Sequence, residues 1–162
     1  TNVEVYRGAV SEVVAVEPEH RLAVLAERAA SSAPIPVTVE TETVEKFLDG
    51  GQFDAVVCSL VLCSVDNPEQ VVGQLFSVLH PGGELRYLEH IAGAGARARL
   101  QRFADATFWP RLLGNCHTHR HTEATIVGAG FQVTGARRDW TFPAWVPLPV
   151  AEFAIGVAIK PA

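Results

Sequence analysis

Between Asp54 and His90 the chain runs through a β-rich apolar stretch, Asp54 to Ser59, then the polar helix-start signal Asp66-Asn67-Pro68. Gln70 to Leu79 follows with apolar residues at helical spacing, then Pro81-Gly82-Gly83, and Leu85 to Leu88 is apolar again. Strand, helix, glycine turn and strand in that order make a βαβ unit. The two strands of such a unit are normally parallel and joined by a right-handed crossover, so both carboxyl ends emerge on one edge of the sheet. In an open α/β sheet ligand chemistry belongs at that edge, which here carries Ser59 to Ser64 on one strand and Glu89-His90 on the next.

An apolar strand opened by Phe53-Asp54, a helix over Val71 to Leu79, a leucine followed by Pro-Gly-Gly, and a strand ending in Glu89-His90 together resemble the class I S-adenosylmethionine-dependent methyltransferases, in particular their small-molecule branch. The run Leu60 to Val65, with Asn115-Cys116-His117-Thr118-His119-Arg120 later, is similar to the thiol methyltransferase-like group within that branch. The resemblance spans nearly the whole chain. It implies S-adenosylmethionine as cofactor and a Rossmann-like α/β fold: a mostly parallel sheet with helices on both faces, strand order 3-2-1-4-5-7-6, and an antiparallel terminal strand between five and six. The family opens with a strand and a glycine-rich G-x-G-x-G turn, which the residues from Thr1 onward lack. Residues 1–162 therefore read as one methyltransferase domain, N-terminally incomplete. Without the first strand, strands two and four of that order have unpaired edges. A longer chain, a neighbouring copy lending the strand as a homodimer, or a rearranged sheet would each satisfy them.

At 162 residues, 48% hydrophobic and 19% charged, the chain is of a size to bury one ordinary core. Its net charge of -5 gives no support to a nucleic-acid or anionic-membrane partner, and Arg97, Arg99, Arg102 and Arg111 read as a solvated helix face. No run of apolar residues is long enough to cross a bilayer. Three cysteines, Cys58, Cys63 and Cys116, with no C-x-x-C pair, argue against a disulfide scaffold and against a thiolate zinc site, and point to a reducing, cytoplasmic setting. Cys58 reads as a small buried hydrophobe and Cys63 as a residue near the cofactor edge.

Glu12 to Val16 reads as a buried parallel strand ending in Glu17-Pro18-Glu19, with Pro18 in the first turn of a helix that buries Leu22, Leu25, Ala26 and Ala29. An acidic side chain at the end of such a strand can accept hydrogen bonds from both hydroxyls of a ribose, and its place at the strand end outweighs the alternative of a surface glutamate capping the helix. The resemblance assigns Glu17 to the cofactor's ribose and Pro18 to packing on its adenine. Val37 to Val39 starts a third strand, and Glu42, Thr43 and Val44 fall where the family closes over the adenine amine. Ser59, Leu60 and Val61 are expected along the methionine and adenine side, with Ser64-Val65 near the acceptor.

Val3 to Tyr6 is expected to be a helix tail. Ala96 to Leu113 reads as one helix kinked or ended at Pro110, carrying Phe103, Phe108 and Trp109 as a lid or as ordinary core. His117, His119 and His121 recur at a spacing of two without a placed carboxylate, so no metal site is assigned. Thr122 to Gly128 is helical, Phe131 to Ala136 and Phe153 to Ile159 are strands, and Trp140, Phe142 and Trp145 lie in an irregular connection. Methyl transfer from a sulfonium needs alignment and a dry pocket, plus a base only where the acceptor is weakly acidic. His90 is the first candidate base and His117 the second. The aromatic content points to a small, largely apolar acceptor, and the resemblance narrows it to a thiol. A nicotinamide-dependent oxidoreductase and a non-catalytic methyltransferase-like domain are the alternatives.

Overall fold

The βαβ unit forms as its pattern requires. The computed structural model describes residues 10–47, 52–140, 142, 146, 148–150 and 152–162, and the chain divides into two compact units, Thr1–Asp49 and Gly50–Ala162. The expected helix tail at Val3 to Tyr6 and the aromatic Trp145 lie outside the described residues.

In the first unit β1 (Val13–Val16) pairs in parallel with β2 (Val37–Glu40), joined through α1 (His20–Ala30). Glu19 is the N-cap of α1: its side chain accepts the Leu22 N–H at 2.8 Å. That fixes the helix start at His20, so Pro18 stands before the cap and not within the first turn as expected. The buried stripe also differs. Ala23 is the buried residue of α1, whereas Leu22 and Leu25 are about half exposed. The helix packs on β2, and the side it covers carries the small Ala23 instead of the two leucines.

In the second unit β3 (Phe53–Ser59), α2 (Pro68–Val78) and β4 (Leu79–His90) make the βαβ, with β3 and β4 parallel. Asn67 caps α2 through Oδ1 and Pro68 occupies its first turn, as the sequence signal predicts. Val71, Val72 and Leu75 are its buried face. The Pro81-Gly82-Gly83 segment is a bulge inside β4 instead of a turn before it: register runs from Phe53 opposite Leu79 to Ala55 opposite Glu84. Gly82 has a φ of 82°, and a Cβ on Gly83 would come within 2.8 Å of the His80 carbonyl, so both positions demand glycine. Lys160, just past the last strand, pins the bulge: the Gly82 N–H donates to its carbonyl at 2.8 Å and its own N–H to the Gly83 carbonyl at 2.9 Å, while its Nζ reaches the carbonyls of Phe76 and Leu79 at the end of α2.

The expected single helix over 96–113 is two: α3 (Gly95–Ala106) and α4 (Trp109–Leu112). Pro110 sits in the first turn of α4, and the carbonyl its ring would strike in a continuous helix belongs to Ala106, where α3 stops. α5 (Thr122–Gly128) and β6 (Glu152–Ile159) form essentially where expected, while β5 (Gln132–Trp140) runs on to the first of the connecting aromatics. The second sheet has the order β3-β4-β6-β5, with β6 antiparallel to both neighbours. These are the segments 3-2 and 4-5-7-6 of the anticipated order, including its inserted terminal strand. The core of this unit gathers Leu62, Val71, Val72, Leu79, Leu85, Ile126, Phe131, Ala154 and Ala158.

Candidate active site

At the carboxyl edge of β3 the chain turns through Leu60, whose φ of 58° is left-handed, a conformation unusual for a leucine. Its N–H donates to the Leu88 carbonyl of β4 at 2.8 Å, and its side chain is 40% exposed. The next three amides converge on one carboxylate. Glu89 Oε1 accepts the N–H groups of Val61 at 2.9 Å and Leu62 at 3.0 Å, and Oε2 accepts that of Cys63 at 3.0 Å. Glu89 is completely buried. Burial pushes its carboxyl pKa up, while the amides of Leu62, Val61 and Cys63 pull it back down. A left-handed residue followed by three amides on a buried anion is a preset loop, rigid before any ligand arrives.

A second segment is stitched to this loop. Asn115, also left-handed with a φ of 62°, donates through Nδ2 to the Ser64 carbonyl at 2.8 Å and to Asp66 Oδ1 at 2.9 Å. His117 N–H donates to the Cys63 carbonyl at 2.7 Å. Arg120 Nη1 donates to the Leu62 carbonyl at 2.6 Å, and Asp105 of α3 accepts from Thr118 N–H and Oγ1 and from His119 N–H.

This stitching brings together three side chains that sequence spacing keeps apart. Cys63 Sγ and Cys116 Sγ are 3.9 Å from one another, and His90 Nδ1 is 3.3 Å from Cys116 Sγ. The His90 ring lies against Phe153 with centroids 4.6 Å apart. The hydrogen bond between the two sulfurs, followed by the proximity of His90, favours negative charge on Cys116. The same sulfur–sulfur bond, burial and the nearby Glu89 carboxylate push the Cys63 thiol the other way, so a proton is retained on Cys63.

Of the candidate bases, His90 is buried and engaged with Cys116, not with a carboxylate. His117 is one-third exposed, with Nδ1 4.0 Å from Asp105 Oδ2. His119 and His121 stack edge to face, their centroids 5.4 Å apart. Ser59 and Leu60 are exposed and Val61 half-buried at the edge of β3. In the first unit, Glu17 stands just past β1, pinned by its N–H to the Glu40 carbonyl at 2.9 Å, with Oε1 accepting from Glu19 N–H at 2.9 Å. Pro18 beside it is exposed. Glu42 pairs loosely with Lys46 at 3.7 Å, and the Thr43 carbonyl closes the turn through Val44 by accepting from Lys46 and Phe47. Phe103 and Phe108 are exposed, and the Arg97 guanidinium lies over Trp140 at 4.7 Å. Sequence reasoning missed the clamp of Glu89 and the Cys63–His90–Cys116 group. The first had a signal in an acidic residue ending an apolar strand; the second had only the weak one of an asparagine at the fold-back, Asn115.

The family described as "Methyltransferase domain" matches residues 2–87, more than half of the chain. The chain belongs to that family. This methyltransferase domain is 39% identical over 116 residues to the thiol S-methyltransferase TMT1B of Mus musculus, an alignment covering 71% of the chain and 47% of the relative. The chain thus spans about half the length of the curated relatives it matches. Among solved structures it resembles the [4+2]-cyclase SpnF, with a TM-score of 0.72 at 16% identity over 98% of this chain and 69% of that one. It also resembles the N-methyltransferase NodS of Bradyrhizobium japonicum bound to S-adenosyl-L-homocysteine, with a TM-score of 0.63 at 14% identity over 99% and 83%. At such identities the likeness establishes the fold, which is the Rossmann-like one anticipated. Membership in the family displaces the nicotinamide-dependent alternative.

Proposed function

We propose that the protein transfers a methyl group from S-adenosylmethionine to a small, largely apolar acceptor, and that the acceptor is a thiol. The observation that carries the reading is the family match, to which 39% identity with a thiol S-methyltransferase adds the acceptor class. The match runs across the boundary between the two units, which supports treating both as parts of one methyltransferase domain. When bound, S-adenosylmethionine supplies an already electrophilic methyl on a sulfonium, so the chain has mainly to hold, align and exclude water.

In this reading Glu17 accepts hydrogen bonds from the ribose, its Oε2 having no partner among the described residues, and Pro18 with Glu42, Thr43 and Val44 flanks the adenine. Ser59, Leu60 and Val61 line the cofactor at the edge of β3, in a loop that Glu89 keeps from collapsing. His90, buried and held against Cys116, is poorly placed to take a proton from an incoming acceptor. That favours a nucleophile that ionises unaided near neutral pH, which a thiol does and an amine or phenol does not. His117, partly exposed and beside Asp105, is the base available to the second class.

The test is turnover of the full protein with labelled S-adenosylmethionine on small thiols, phenols and amines. A thiol methyltransferase keeps its rate within about tenfold in His117→Ala near pH 8, whereas an acceptor that needs the base loses about a hundredfold. Turnover confined to phenols or amines refutes the thiol assignment. Tight cofactor binding without turnover on any of them supports the non-catalytic alternative.

A further inference from the structure

Beside the edge of β3 the donor atoms of Cys63, His90 and Cys116 lie within 4.8 Å of one another. All three residues are buried, Cys116 being the most accessible at 9%. A tetrahedral zinc ion, with Zn–S of about 2.3 Å and Zn–N of about 2.0–2.1 Å, sets two sulfurs roughly 3.8 Å apart and a sulfur and nitrogen roughly 3.6 Å apart. The Cys63–Cys116 sulfur separation is 3.9 Å and the Cys116–His90 separation 3.3 Å. We propose that Cys63, His90 and Cys116 bind a zinc-class divalent metal ion through two thiolates and one imidazole Nδ1, with the fourth position left to water or an exogenous thiolate.

The donor set is specific. Two thiolates and an imidazole suit zinc and the softer transition metals, and offer nothing to magnesium or calcium. The backbone holds the ligands before the metal arrives: Cys63 N–H is fixed on Glu89, its carbonyl accepts from His117, and Cys116 N–H donates to Leu113. His90 is oriented by its stack on Phe153. Charge also balances. A divalent cation neutralises two thiolates, and the carboxylate of Glu89 and the guanidinium of Arg120, both electrostatically coupled to Cys63, have opposite signs. On binding, the metal displaces the protons still held by the two sulfurs, so uptake strengthens as pH rises. The site stands independently of whether a thiol is the methyl acceptor, and its readouts require no turnover.

The full chain, reduced and stripped with chelator, is titrated with Co2+ and then with Zn2+. Binding at this site gives a thiolate-to-cobalt charge-transfer band with intense tetrahedral ligand-field absorption at one ion per chain, bleached by stoichiometric Zn2+. Cys63→Ser and Cys116→Ser each reduce the charge-transfer intensity by about half. Each also weakens affinity by more than the roughly 10–100-fold expected for an outer-shell change. Cys58→Ser changes neither. If a cysteine variant fails to fold, protection of Cys63 and Cys116 against alkylation by one equivalent of Zn2+ in the wild-type protein serves instead. Absence of the charge-transfer band in folded, reduced protein, or no zinc protection of the two thiols, overturns the proposal.

Discussion

Replacing Glu89 by glutamine tests whether the loop after β3 is preset by a buried carboxylate. The amide oxygen can keep the two hydrogen bonds from Val61 and Leu62 that Oε1 now accepts, but the amide nitrogen then faces the Cys63 N–H, donor against donor. One charge-assisted bond is lost, worth about 1.5–3 kcal/mol, and the other two lose their ionic component. Against this, the variant no longer buries a carboxylate, a penalty whose sign is evident in the raised pKa of Glu89. That raised pKa is already the balance of burial against the three amide bonds, so exchanging the ion for a neutral amide should change folding stability by no more than about 1 kcal/mol. Glu89→Ala leaves two buried N–H groups and a part-buried one without an acceptor and should cost about 3–6 kcal/mol, much of the roughly 5–15 kcal/mol that holds a domain together. The pH dependence has a definite direction. Because the folded pKa lies above the ordinary 4.5, the carboxyl contributes most below that value. Its contribution is lost as pH rises through the folded pKa, so the advantage over Glu89→Gln narrows in that window. Urea denaturation at several pH values, with hydrogen exchange at Val61, Leu62 and Cys63, measures all of this. Unchanged stability in Glu89→Ala, or undiminished protection of those three amides, would refute the reasoning.

Glu17→Ala should weaken S-adenosylmethionine binding by about 1.5–3 kcal/mol, the value of a charged hydrogen-bond partner, read by calorimetric titration of the full protein. Unchanged affinity removes Glu17 from the site. Leu60→Trp should block the cofactor while leaving the melting temperature nearly unchanged, because the leucine side chain is 40% exposed and packs little. Normal cofactor binding by that variant would count against placing the cofactor along this edge.

The fold was readable wherever periodicity and caps agreed. Asn67, Pro68 and the apolar spacing of α2 specify a helix between two strands, and local signals suffice for that. Reading failed where a remote partner decides the local outcome. The Pro-Gly-Gly segment looks like a turn, yet the backbone of Lys160, more than seventy residues later, bonds to Gly82 and Gly83 and holds it inside β4. Leu22 and Leu25 have helical spacing, but spacing cannot reveal that Ala23 is the residue buried. The candidate site divides the same way. Its position at the edge of β3 follows from the βαβ rule. The meeting of Cys63, His90 and Cys116 depends on a loop that folds back through Asn115 in a left-handed conformation, for which the sequence offers only a weak cue.

The insertion of β6 between β4 and β5 sets an order of events for a nascent chain. β3 and β4 can meet as soon as the intervening helix has emerged, since they are close in sequence. The far edge of β4 then waits, through three helices, β5 and the connection after it, for Glu152–Ile159 to be synthesised. Until that moment both β4 and β5 present open ladders to other chains, the template on which misassembly grows. Within this unit, the strand made last is the one that joins β4 to β5, and a chain cut short before Glu152 would leave both without that partner.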